Sequence, residues 1–236
     1  MYAKTILSKT GQEFMQDKIK ISVIITCYNL EKYIARSINS CINQTLSEEN
    51  YEIIVVNDCS TDNSMEAIKS YEGLVKIVDL EKNMGVAYAS NAGIRIANGK
   101  YIVRVDGDDF INKNFLHTMI EILEWNDDVG FVYCDHIIVS SNNERKQSMN
   151  TLEKLLDHGA GVVFRKEYLN AIGLYDESLR NREDYDLILR YIKNFDGYRV
   201  RLPYYRYFQR NNSLSKQHKQ RKQLKEEINE KIMGKT

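Results

Sequence analysis

Four short apolar runs, each ending in a polar cluster and each followed by a helical pattern, constrain this chain more than any other feature. They are residues 21–26, 51–56, 75–80 and 101–105. The continuous run at residues 21–26 suits a strand buried on both faces, as in a parallel sheet covered by helices. The intervening segments carry helical spacing. Residues 31–44 place Ile34, Ile38, Cys41 and Ile42 on one face, with Asn29 as the expected cap. Asp62 or Asn63 is expected to cap the next helix, Gly85 to open a third, and Asn98 and Gly99 to stop it. A fourth helix is predicted over residues 113–125. Strand–helix alternation of this kind predicts right-handed crossovers and a largely parallel sheet.

In a parallel sheet all carboxyl ends lie along one edge, where α/β proteins bind ligands. Four clusters would meet there: Thr26 to Asn29, Asn57 to Asp62, Asn83 to Gly85, and Asp106, Gly107, Asp108 and Asp109. The last is the most chemically loaded. Three carboxylates within four residues repel one another unless a cation lies between them. Hard divalent ions favour such oxygen ligands and often share them with phosphates. The alternative for one acidic turn alone is a surface loop capping a helix. Convergence of several polar clusters is harder to explain that way.

Beyond residue 129 the pattern is less regular. Strands are expected over 129–136, 137–140, 161–164, 198–202 and 204–209, with a polar turn over 141–147. Helices are expected over 151–158, 166–172 and 184–193, the last with Asp186 on its outer surface. A charged, helix-prone tail begins near 215 and carries Leu224, Ile228 and Ile232. The organisation expected is an N-terminal arm (1–18), one α/β domain (19–213) and a basic helical tail (214–236).

The 236 residues suffice for one large core, and the formal net charge is zero. No recognised nucleic-acid motif accompanies the local basic residues, so nucleic acid is not an expected partner. No window reaches the length of a membrane helix, and residues 1–20 lack an apolar signal core, which predicts a cytoplasmic protein. The four cysteines form no metal-type pairs, which argues against zinc, and Cys27 and Cys134 read as buried thiols.

The ordered set of motifs resembles the family 2 glycosyltransferases. The resemblance is carried by Ser22 to Asn29, Val55 to Asp58 with Ser60 to Ser64, Asn83 to Gly85 with Asn91 to Gly93, and Asp106 to Asp109. It continues more weakly through Ala160 to Arg165, Ile172 to Asp176, and Glu183 with Asp184. It implies the GT-A fold, a Rossmann-like mostly parallel sheet with an irregular C-terminal acceptor side. It also implies a nucleoside-diphosphate sugar donor (a UDP-sugar), a Mn2+ or Mg2+ ion, and inversion at the anomeric carbon. The acceptor would be a hydroxyl of a glycan or lipid-linked glycan in bacterial surface polysaccharide assembly.

Residue by residue, the resemblance places Thr26, Tyr28, Asp58, Asn83 and Asp106 on the donor. Asp108 becomes the direct metal ligand and Asp106 a shared one. Asp184 becomes the base, with its pKa expected to be lowered at a helix N-terminus. Glu183 would stand beside it. Asp109 would orient the loop or cap a helix. Many relatives carry a histidine where this chain has Phe208 or Arg210; Arg206 or Arg210 is the expected substitute on the diphosphate, with His218 a further one. Ser90 stands where several relatives have an arginine, with Arg95 one helical turn beyond Asn91. Residues 199–225 contain no acid and interleave Arg and Lys with aromatic residues, which would suit peripheral contact with the inner face of a membrane. Two other classes share parts of the pattern. A sugar nucleotidyltransferase needs a glycine-rich basic loop after its first strand, which residues 30–36 do not supply. A catalytically inactive nucleotide-sugar-binding module is disfavoured by Asp106, Asp108 and Asp184 but favoured by the missing histidine.

Overall fold

The structure, a computed structural model, describes residues 19–142, 144–210 and 218–233. The expected arm, 1–18, lies outside them. In chain order the strands are β1 (Ile21–Cys27), β2 (Tyr51–Asn57), β3 (Lys76–Asp79), β4 (Tyr101–Asp106), β5 (Phe110–Ile111), β6 (Val129–Ser140), β7 (Arg145–Ser148), β8 (Val162–Arg165) and β9 (Asp196–Gln209). The helices are α1 (Ile34–Ile42), α2 (Ser64–Lys69), α3 (Val86–Ile96), α4 (Phe115–Trp125), α5 (Leu152–His158), α6 (Lys166–Ile172), α7 (Glu183–Ile192) and α8 (His218–Met233). One sheet runs β3-β2-β1-β4-β8-β6-β9-β5, with β7 on the far part of β6. The first four strands are parallel; β8 is antiparallel to both β4 and β6, and β9 is parallel to β6.

Every residue of β1 is buried, because helices cover both faces of the sheet. Val23, Ile25, Val103 and Val105 pack with Ile34, Ile38, Phe115 and Met119 of α1 and α4. Ile24, Ile54 and Val56 pack on the opposite side with Ala87 and Ile94 of α3 and Leu187, Ile188 and Tyr191 of α7. Each such fully buried aliphatic or aromatic side chain contributes about 1.5–3 kcal/mol. Cys27, Cys41 and Cys134 are free buried thiols, and burial pushes Cys27 up to about 11 and the other two up to about 12.

The second half departs from the sequence expectation in two ways. The pairs of short strands expected at 129–140 and 198–209 are each one long strand, β6 and β9, paired to each other along their length. Their apparent breaks are a register shift at Asp135, opposite Pro203. A proline has no N–H to give a ladder, and a bulge is where a sheet tolerates it. Asp135 is itself buried and takes a forked ion pair from Arg199 (Nη2–Oδ1 2.9 Å, Nη2–Oδ2 3.1 Å). The expected polar turn, 141–147, instead contributes Arg145 to Gln147 to the edge strand β7, whose side chains alternate too weakly to read.

Two further corrections concern polar side chains. Asn29 does not cap α1, whose N-cap is Tyr33. Its backbone is left-handed (φ 53°) and its Oδ1 accepts from the Thr61 N–H (2.8 Å). Asp186 is not on the outer surface of α7: it is 1% exposed and holds Arg190 (Nη2–Oδ2 2.6 Å), which donates onward to the carbonyls of Ile172, Gly173 and Leu174. The C-terminal helix α8 lies on α7 through Ile228 against Tyr185 and Leu189, with Lys231 paired to Asp176 (2.8 Å). Among the described residues no helix is long and apolar enough to cross a membrane.

His136 of β6 is buried against His158 (ring centroids 4.6 Å) and Tyr207 (6.3 Å), and its Nδ1 has no hydrogen-bond partner among the described residues. Burial pushes its pKa down to about 4. The unfolded chain takes up this proton below about 6.5 and the folded chain does not until about 4, so acidification across that window favours unfolding. Between pH 7 and pH 4, wild type is expected to lose about 3 kcal/mol more stability than His136→Phe, measured by urea denaturation.

Candidate active site

The carboxyl ends of β1, β2 and β4 converge as the parallel register requires, and α3, α7 and the end of β9 close the space into a cleft of about 590 Å³. Thr26, Tyr28, Asp58, Asn83, Asp106, Asp108, Glu183, Asp184 and Arg210 all line it. Arg206 does not. It donates to the carbonyl of Pro203, three residues back along β9.

Two loops are tied directly to β1. The Gly107 N–H donates to the Thr26 carbonyl (2.9 Å), and the Asp58 N–H donates to the Cys27 carbonyl (2.8 Å). A Cβ on Gly107 would stand 2.7 Å from that Thr26 oxygen, so only glycine allows β4 to turn there. Asp58 is buried, and its two oxygens accept from the N–H groups of Met84 (2.7 Å) and Gly85 (2.8 Å). It therefore shapes the 83–85 loop and the start of α3. Tyr28 is 46% exposed, with its ring on the cleft wall. Arg95 is engaged elsewhere, by Glu177 (2.5 Å).

The acidic turn divides into three environments. Asp109 is fully enclosed: the Tyr205 hydroxyl donates to its Oδ2 (2.8 Å) and the Phe208 N–H to its Oδ1 (2.7 Å). Burial first, then Asp108 and Asp106, push its pKa well up. Asp108 faces the cleft and is paired with Arg210. Burial and the charge of Asp106 push its pKa up, against the pull of Arg210. Asp106 has Arg104 Nε 3.0 Å from its Oδ1, yet that buried oxygen receives no well-directed hydrogen bond among the described residues. Phe208, near the expected histidine position, packs on Tyr33 (5.2 Å) and on the Arg36 guanidinium (4.5 Å) instead. The His218 side chain lies outside the described residues.

Glu183 and Asp184 open α7 and line the same cleft. Arg104, from inside β4, reaches both: Nη1 to Glu183 Oε1 (3.3 Å) and Nη2 to Asp184 Oδ2 (2.8 Å). The pKa of Asp184 moves opposite to the expectation from a helix N-terminus, up to about 8. Burial is the main cause, Glu183 and Asp106 add to it, and Arg104 opposes it. Desolvation of a carboxylate outweighs the partial charge of a helix end. The enclosure is tight: at Gly159 (φ 55°), which ends α5, a Cβ would meet Asp184 Cγ at 2.6 Å.

Arg104, Arg180 and His158 line the cleft without having been singled out in the sequence. Arg104 had a signal, a cation inside an apolar strand two residues before Asp106 and so on the same face. Arg180 and His158 sit in segments with no pattern pointing at the cleft. The described residues contain no group of three or more His, Cys, Asp or Glu side chains placed to hold a metal. The pair Asp106 and Asp108 nevertheless fits a hard cation shared with a phosphate-bearing ligand: one carries an unsatisfied buried oxygen, and the two charges repel.

The sheet and cleft are those of the GT-A class of α/β proteins. The crystal structure of residues 1–349 of Staphylococcus aureus TarS in complex with UDP-GlcNAc superposes with a TM-score of 0.77 at 25% identity, covering 92% of this chain and 67% of that one. The glycosyl transferase family 2 model matches residues 22–202, and the chain belongs to that family. An uncharacterized glycosyltransferase of Bacillus subtilis, YwdF, is 31% identical over 198 residues, 77% of this chain and 71% of that protein. The poly(ribitol-phosphate) beta-N-acetylglucosaminyltransferase TarS is 38% identical over 101 residues, 42% of this chain and 18% of that protein. Against other curated relatives the chain spans 34%, 66% and 16% of their length.

Asp109 anchors β9 to the acidic turn. Asp109→Ala leaves the Phe208 N–H and Tyr205 hydroxyl unpaired and is expected to cost about 2–3 kcal/mol in chemical denaturation. Asp108→Asn, beside it but facing the cleft, is expected to cost less than about 1 kcal/mol.

Proposed function

We propose that this chain transfers a sugar, with inversion, from a UDP-sugar to a hydroxyl of a bacterial surface glycan. The observation that carries the reading is the placement of two acid sets in the lining of one cleft, Asp106 with Asp108 at the end of β4 and Asp184 at the start of α7, with Arg104 between Asp106 and Asp184. Family membership and the likeness to a UDP-GlcNAc complex support a nucleotide-sugar donor. Likeness to poly(ribitol-phosphate) glycosyltransferases supports a surface-glycan acceptor.

Tyr28 offers an open ring on which a uracil base can stack, beside Thr26 and Asp58. Asn83 lines the same cleft, and its amide donates to the Asp58 carbonyl (3.3 Å). Asp106 and Asp108 would hold Mg2+ or Mn2+, whose charge stabilises the departing diphosphate. Arg210, now on Asp108, is the cation positioned to meet that diphosphate where relatives carry histidine. Asp184 takes the proton of the acceptor hydroxyl as its oxygen bonds to the anomeric carbon and the carbon–oxygen bond to the diphosphate breaks, releasing UDP.

The test is UDP release from a panel of UDP-sugars with Mn2+, together with UDP binding by calorimetry. Asp184→Asn is expected to bind UDP within about threefold of wild type while release falls about 100-fold or more. Asp108→Asn is expected to lose the Mn2+-dependent part of UDP binding. Loss of UDP binding in Asp184→Asn would reassign that residue to the donor, and a wild type that neither binds nor turns over any UDP-sugar would overturn the reading.

A further inference from the structure

We infer that Arg104 is a positioning residue that fixes the base Asp184 in register with the donor carboxylate Asp106; this rests on the donor reading above. Arg104 lies in the middle of β4, its side chain 9% exposed. The guanidinium donates to two acids, Nη2 to Asp184 (2.8 Å) and Nη1 to Glu183 (3.3 Å), and its Nε stands 3.0 Å from a third, Asp106, as an ion pair without a well-directed hydrogen bond. The acids come from segments about 80 residues apart in sequence, so this one side chain ties the end of β4 to the start of α7.

The surroundings leave the guanidinium and Asp184 little freedom. The buried ring of Tyr175 lies under the guanidinium at 5.3 Å. Gly159 closes behind Asp184, where a single added carbon would collide with the carboxylate. A purely structural need to neutralise a buried cation would be met by one acid. Here one cation serves three, one at the end of β4 and two at the start of α7. A planar guanidinium can divide its donors this way, and a lysine ammonium on a flexible stem cannot hold the same directions. Arg104 touches no reacting atom in this role; it sets where Asp184 stands.

The experiment uses the full chain, Mn2+ and the UDP-sugar that wild type turns over fastest. Arg104→Lys is expected to bind UDP within about fivefold of wild type and to release it about 100-fold more slowly, a loss in kcat rather than in KM. Millimolar guanidinium is expected to restore about tenfold of the rate lost in Arg104→Ala. The double variant Arg104→Lys/Asp184→Asn is expected to be no slower than Asp184→Asn, because the arginine acts through the aspartate. Should Arg104→Ala fail to fold, the lysine variant and the double variant carry the test. Near wild-type turnover in Arg104→Lys, or losses that multiply in the double variant, would overturn this inference alone. Wild-type inactivity with every UDP-sugar would overturn the donor reading and this one together.

Discussion

Because β1, β2 and β4 pair in parallel and in register, their last residues share one edge of the sheet, and the polar clusters that follow them have nowhere else to go. Backbone hydrogen bonds then lock the loops to one another, from Gly107 to Thr26 and from Asp58 to Cys27. The remaining wall is built from the second half of the chain, where β8 reverses direction and lets β6, β9 and α7 fold back over the same edge. Removing the parallel register would scatter the cleft, since no single segment contains more than a part of it.

Within that frame, electrostatics sorts carboxylates that look alike in sequence. Asp109 is enclosed by a hydroxyl and a backbone N–H and serves the fold. Asp108 and Asp106 keep a face toward the cleft, each beside an arginine that balances part of its charge. Asp184 and Asp186 are two residues apart on one helix, yet one meets Arg104 in the cleft and the other meets Arg190 beneath α7. Buried charges persist when paired, and unpaired ones are costly. The arginines thus specify the site as much as the acids do.

The first half of the fold was legible because burial on both faces writes an unbroken apolar run, as in β1 and β2, and glycine marked the start of α3. The loops that end these strands were legible for the same reason, as was the grouping of Asp106, Asp108 and Asp184 through the family resemblance. The long strands β6 and β9 were not, because a bulge at Asp135 and the proline at 203 imitate chain breaks. Arg104 was hidden because its partners lie far away in sequence, and Asp186 because helix periodicity does not reveal a buried ion pair. The direction of the Asp184 pKa depended on its burial and on Asp106 standing near it, which no local pattern encodes.

Anomalous diffraction from crystals of the full chain soaked with UDP and Mn2+ would test the donor site most directly. The expected map has one Mn2+ peak touching Asp106, Asp108 and the diphosphate, with the uracil on Tyr28 and Arg210 moved from Asp108 toward phosphate. UDP bound away from the ends of β1 and β4, or ordered in the cleft with no Mn2+ at the two aspartates, would contradict the metal and donor assignments made for this cleft.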